Sequence, residues 1–113
     1  MKEEEYTSTD VCNQLGITQA KVVGWMSRGF IHPSLPSSGS GNKALFSYTD
    51  LLKCKLFMML SEAGYYQKLA SSIVYSDEVE NALNEEGLGV AQIQICDGIV
   101  LTIDTSEIKA QIV

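Results

Sequence analysis

Apolar positions recur at two different periods along this chain, and the change of period divides it. Leu52, Leu56, Met59, Leu60 and Ala63 fall three and four residues apart, the spacing of one face of an α-helix. Thr49 is placed to cap that helix, Asp50 lies in its first turn where the helix dipole favours an anion, and Gly64 ends it. Leu51, Phe57 and Met58 fall off the stripe. The helix is therefore either sandwiched in the core or turned by its second face toward the tail or another subunit. A shorter helix over Tyr66–Tyr75 buries Leu69, Ile73 and Val74. From Val90 to Asp104 the period drops to two, which predicts two strands around Cys96-Asp97-Gly98.

Loop length decides what those strands present. A two-residue Asp97-Gly98 loop would scatter the apolar residues over both faces. A three-residue loop with Gly98 left-handed pairs Ile95 with Ile99, Ile93 with Leu101 and Ala91 with Ile103, all on one face, and this register is expected. An isolated hairpin is only marginally stable, so the face needs cover from the chain's own helices or from a second copy. Before the hairpin, Asp77–Glu86 reads as a short acidic helix stopped by Gly87 and Gly89. After it, Asp104, Thr105 or Ser106 caps a last helix with Ile108 and Ile112 facing inward.

The N-terminal third is punctuated differently. Thr7 with Asp10 three residues on forms a capping-box pattern, opening a helix over Ser8–Gln14 that stops at Gly16. Thr18 caps a second helix, Gln19–Arg28, which ends at Gly29. Two helices joined by a short turn containing Gly form a helix-turn-helix pattern, whose second helix enters the DNA major groove. After Pro33, Ser34–Lys43 is rich in turn residues, and Ala44–Tyr48 can extend as a strand. A β-hairpin wing with a Gly-Ser-Gly-Asn tip would set backbone N–H groups, Asn42 and Lys43 against phosphates. The same composition also suits a plain surface loop.

Charge sharpens this division. The 113 residues carry a net charge of −6, unevenly spread. Tyr6–Tyr75 holds six basic against three acidic side chains, +3, whereas in Ser76–Val113 only Lys109 opposes eight carboxylates, −7, and Met1–Glu5 adds −2. A mildly basic body joined to an acidic tail is compatible with nucleic-acid binding where the average charge is not. With 45% apolar and 19% charged residues, one domain with one core is expected, plus a small appendage. No apolar run approaches the roughly 18 residues of a membrane span, and Met1–Glu5 is too acidic for a secretory leader. Cys12, Cys54 and Cys96 are odd in number and far apart, which suggests neither a disulfide framework nor a zinc site but a reduced, cytoplasmic protein.

The order helix, turn, helix, wing, helix, helix over roughly Tyr6–Val74 resembles the MerR-type winged helix-turn-helix family of bacterial transcription regulators. The residues that carry the resemblance are Tyr6-Thr7, Asp10-Val11, Gly16-Ile17-Thr18, Gly29-Phe30-Ile31 with Pro33, Phe46-Ser47-Tyr48, Thr49-Asp50-Leu51 and Gly64. The resemblance implies a homodimer on double-stranded DNA, the second helix in the major groove and the wing on the flanking backbone. The chain departs from the family where many members have Thr-Leu-Arg-Tyr-Tyr and it has Lys21-Val22-Val23-Gly24-Trp25. The Arg and first Tyr that touch DNA in the family are here Val23 and Gly24. A mid-helix Gly costs about 1 kcal/mol relative to Ala, to be offset by close helix packing, the preferred explanation, or by approach to a phosphate.

The DNA-facing candidates are therefore Thr18 and the free N–H groups of the helix start for a phosphate, Gln19 for an adenine edge, and Lys21, Arg28, Asn42 and Lys43 for the backbone. Trp25, beside Val22 and Met26, is assigned to the core, and His32 to no chemistry. The long dimerising helix of ligand-sensing relatives has no counterpart, so dimerisation would pass through the hairpin at residues 88–105. No cofactor, metal site or small-molecule effector is evident, and no nucleophile–base pair or phosphate loop suggests an enzyme. The expected fold is mainly α with a small β component: an acidic, flexible 1–5, a winged helix-turn-helix at 6–76, and at 77–113 an acidic helix, β-hairpin and terminal helix. The expected function is sequence-specific transcription regulation. An architectural, excisionase-like DNA-binding protein or a protein-interaction adaptor is the alternative on the same fold.

Overall fold

Helix starts in this chain are set by side chains that satisfy backbone N–H groups left free in the first turn. In the computed structural model, which describes residues 5–35, 44–84 and 89–111, α1 (Ser8–Leu15) opens with the expected box. Thr7 Oγ1 accepts from the Asp10 N–H at 3.2 Å, and the Asp10 carboxylate accepts from the Thr7 N–H at 2.9 Å. Gly16 closes α1 with a left-handed φ of 70°. The Thr18 hydroxyl accepts from the Lys21 N–H at 3.2 Å and opens α2 (Gln19–Ser27), with Arg28 as its C-cap. The long helix α3 (Tyr48–Glu62) starts from Ser47, not Thr49: the Ser47 hydroxyl accepts from the Asp50 N–H at 3.1 Å and Asp50 returns the bond at 2.9 Å. That box needs a carboxylate three residues after the cap, which Ser47 has and Thr49 lacks. It also draws Tyr48 into the helix instead of a strand.

The extended segments are short. Glu5–Tyr6 (β1) pairs antiparallel with Phe46–Ser47 (β2), so Glu5 is held in a strand and does not belong to a flexible 1–5 terminus as the sequence suggests. Leu35 and Leu45 exchange both backbone hydrogen bonds, at 3.1 and 2.8 Å, in the manner of a hairpin base. The proposed wing tip, with Asn42 and Lys43, lies outside the described residues, as do Gly87 and Ile112.

Around α3 the remaining elements close a single core. Leu51, Leu52, Cys54, Leu56, Phe57, Met58 and Leu60 are buried on several sides of it, so the helix is sandwiched. Phe57 meets the edge of Trp25 at 4.9 Å and stacks near Phe30 at 5.8 Å, joining α2 to α3. α4 (Gln67–Val74) adds Ala70, Ile73 and Val74, and α5 (Asp77–Asn84) adds Val79, Ala82 and Leu83. The hairpin β3 (Val90–Cys96) and β4 (Ile99–Asp104) joins the core through Ala91 and Ile103, and α6 (Thr105–Gln111) through Ile108. Asp104 Oδ1 accepts from the Ser106 N–H at 3.0 Å at the start of α6.

The register of that hairpin follows expectation up to its tip. Ala91 faces Ile103 and Ile93 faces Leu101, but Cys96, not Ile95, pairs with Ile99, with the shift falling between Gln94 and Cys96. Gly98 is left-handed (φ 84°) and no described residue other than glycine is. One positive φ cannot make a type I′ turn, which needs two, so the strand absorbs the difference as an irregularity at Ile95. Cover stops halfway: Ala91 and Ile103 are buried, Ile93 and Leu101 half-buried, Ile99 exposed.

Among the described residues two charged side chains are buried in this framework, Asp50 in its capping box and Lys53. Lys53 of α3 is 7% exposed; its ammonium sits 5.0 Å from the centre of the Tyr75 ring and is paired with Glu80 of α5. That hydrogen bond holds the Glu80 carboxyl below the ordinary glutamate range. A depressed carboxylate stabilises the fold above its unfolded value and stops doing so as pH falls through the folded one. Urea unfolding from pH 7 to pH 3 is therefore expected to show a loss that Glu80→Gln flattens. At pH 7 Glu80→Gln should cost about 1–2 kcal/mol, since Lys53 is desolvated but Glu80 is partly in water.

Candidate nucleic-acid interface

At about 100° per residue, α2 divides cleanly into two faces. Val22 and Trp25 are buried and Met26 half-buried on one side. Directly opposite lie Ala20, Ser27 and Gly24, with Val23 on one shoulder and Lys21 and Arg28 together on the other. Ala20, Lys21, Val23, Ser27 and Arg28 are all exposed, and Val23 keeps 44% of its surface in contact with solvent. Among the described residues nothing of the acidic tail buries this face.

The frame that aims α2 is braced at both ends. At its start, the Gln19 amide donates to Ser8 Oγ at 2.7 Å while its oxygen accepts from Cys12 Sγ at 3.3 Å. Burial pushes the Cys12 thiol pKa up, which keeps it a donor. Beyond the other end, Gly29 turns the chain at φ 77°. Ser71 of α4 then donates to the Phe30 carbonyl at 2.8 Å, and the His32 N–H donates to the Tyr75 hydroxyl at 2.8 Å with the two rings 4.7 Å apart. Burial raises the Tyr75 phenol well above its ordinary value, so it remains protonated. Ser34, next to the Leu35–Leu45 bridge, donates to Asp50. The helix, the loop after it and the segment entering the Leu35–Leu45 bridge are thus tied to α3 and α4.

The sequence-derived candidates fare differently. Thr18 is exposed at the helix start, its hydroxyl occupied by the Lys21 N–H. Gln19 is exposed but its amide is engaged at both ends, so contact with a base edge would require it to release α1. Lys21 is exposed with its ammonium 5.8 Å from the centre of the Trp25 ring, and Arg28 is exposed at the C-cap. Asn42 and Lys43 fall outside the described residues. Trp25 is core, 3% exposed.

Gly24 needs a correction. Helix packing was the expected reason for it, yet a Cβ built at this position meets nothing within 4 Å. No described neighbour requires a glycine here. Ala20 and Ser27, absent from the sequence-derived candidates, lie at the centre of the outward face, a position that follows from counting round the helix from Val22 and Trp25.

Among the described residues no cluster of three or more His, Cys, Asp or Glu side chains could hold a metal ion, and no helix is long and apolar enough to cross a membrane. No curated protein matches the chain. A family model, the MerR HTH family regulatory protein, matches residues 6–73, from β1 to within one residue of the end of α4.

Proposed function

The chain belongs to the MerR HTH family of regulatory proteins, and from that premise we propose that it binds double-stranded DNA sequence-specifically and regulates transcription, with α2 in the major groove and the Leu35–Leu45 wing on the flanking backbone. The observation that carries this reading is the open, positively flanked side of α2: Ala20, Lys21, Val23, Ser27 and Arg28 exposed on a helix whose other side is locked to Phe57. A rod held this firmly can enter a groove about 12 Å wide without rearrangement. Lys21 and Arg28 serve the phosphates, with Thr18 and the helix N-terminus holding another. Lys53, buried and paired with Glu80, is assigned no DNA contact.

A second copy is the proposed cover for the outer half of the hairpin, where Ile93, Ile95 and Leu101 are only half-buried and Ile99 is more than half exposed. Two-fold pairing there would present two α2 helices to two half-sites.

Selection of bound duplexes from a random pool, followed by salt titration of the enriched sequence, tests the reading. A regulator should enrich one motif, symmetric if the chain is dimeric, and its affinity should fall linearly with salt on logarithmic axes. An architectural protein would share the salt slope and enrich little. Absence of binding at 50 mM salt by folded protein would leave the adaptor role.

A further inference from the structure

At the centre of the outward side of α2 the Ser27 hydroxyl is the one side-chain group able to hydrogen-bond a base. Gln19 is held by Ser8 and Cys12, and the Thr18 hydroxyl caps the helix. Lys21 and Arg28 stand together on one flank. What projects at the centre and opposite flank is Ala20, Val23 and Ser27, with no side chain at Gly24. Val23 is conspicuous beside Val22: consecutive valines, one fully buried and one 44% exposed. A β-branched, apolar residue on an exposed helix face gains neither helix propensity nor burial. Gly24, one position on, weakens the helix further, and the space above it is empty. Both features suit a face that an apolar group approaches closely from outside.

We propose that α2 reads thymine C5-methyl groups in the major groove, with Val23 the main contact, Ala20 the second, and Gly24 letting the helix backbone sit close to the base edges. The proposal rests on the DNA-binding reading above and specifies what that site prefers. Of the four bases, only thymine offers a methyl group in the major groove, and apolar side chains are its natural contacts. Lys21 and Arg28 hold the helix to the phosphates from one flank, so the apolar side need not supply affinity, only discrimination. The preferred half-site is accordingly marked by thymines at the steps opposite Val23 and Ala20.

Replacing thymine by deoxyuridine removes the methyl group and leaves base pairing intact. With the full chain and the selected duplex, each thymine of a half-site is replaced in turn and binding measured at fixed salt. Burial of one methyl predicts about a threefold to fourfold loss at each contacted thymine, and none at flanking ones. In Val23→Ala, a variant at an exposed position that folds at least as readily, thymine and deoxyuridine should bind equally at one of those positions. Gly24→Ala should fold more stably and bind the thymine duplex more weakly. Equal binding of thymine and deoxyuridine duplexes everywhere, with salt-dependent selective binding intact, overturns the methyl reading and leaves DNA binding standing. A deoxyuridine penalty that persists at every position in Val23→Ala overturns the assignment to Val23. Absence of binding to any duplex removes both readings.

Discussion

Gly89→Ala is expected to destabilise the chain by about 3 kcal/mol, combining an overpacked site with weakened buried hydrogen bonds. A Cβ at this position would stand 2.0 Å from the Ala82 carbonyl oxygen and 2.7 Å from Thr105 Oγ1, distances no real structure tolerates. Neither neighbour can step aside cheaply. Ala82 O belongs to the backbone of α5. Thr105 is completely buried at the start of α6, and its hydroxyl donates to the Gly89 carbonyl at 2.6 Å with Ala82 O also in reach at 3.3 Å. The Thr105 N–H donates to the same Gly89 carbonyl at 2.9 Å. Gly89 is thus the point where the end of α5, the entry to the hairpin and the start of α6 are clamped together. Because Val79, Ala91, Ile103 and Ile108 share a core with α3, the damage should appear as one cooperative transition moved down by about 10 °C, not as a loosened tail on an unchanged body. Gly24→Ala is the internal contrast, since its Cβ enters open space in a helix and should add about 1 kcal/mol. An unchanged melting temperature for Gly89→Ala would show that the close approach is not maintained.

Local chemistry made much of the fold legible. The Thr7/Asp10 box, Gly16 and Thr18 place both helices and their turn because capping is decided by three or four adjacent residues. At α3 Ser47 and Thr49 are both capping residue types, and only Ser47 has a carboxylate, Asp50, three residues on. The pairing of Phe46–Ser47 with Glu5–Tyr6 was not legible, because it joins segments 40 residues apart and has no periodicity of its own. In the hairpin, alternation carried the register from Ala91 through Ile93, while the tip departed because turn conformation, not burial, decides pairing there.

The candidate site was legible as a helix and less so as a surface. Polar residues were chosen by chemical type, which rightly marked Lys21 and Arg28 as exposed cations. It could not show that Gln19 bridges to Ser8 and Cys12, since that depends on how α1 crosses α2. Nor could it show that Lys53, counted among the basic residues of the body, is turned inward onto Glu80. Its cationic charge is spent on holding α5, so the positive character near α2 rests on fewer side chains than the sum over residues 6–75 implies.

That concentration gives the largest functional effect. The double reversal Lys21→Glu with Arg28→Glu is expected to lower affinity for the selected duplex at least 100-fold at about 0.15 M salt. Each lost phosphate contact reduces the steepness of the salt dependence by about 0.9, so the slope should become shallower by roughly 2. The two residues are seven apart on one flank of α2, placing both substituted carboxylates against the same phosphate ridge. Repulsion therefore adds to the missing attraction. The fold should survive: both side chains are exposed, and the contacts surrendered are an ammonium over the Trp25 ring and a cation at a helix C-terminus, each worth about 1 kcal/mol or less. Gln92→Glu with Gln94→Glu adds negative charge on exposed positions of the hairpin instead, and should change affinity less than threefold. If that control weakened binding as much as the reversal on α2, net charge alone would govern association and the helix would have no special place in it. If the reversal on α2 left both affinity and salt slope unchanged, DNA would be bound by some other surface.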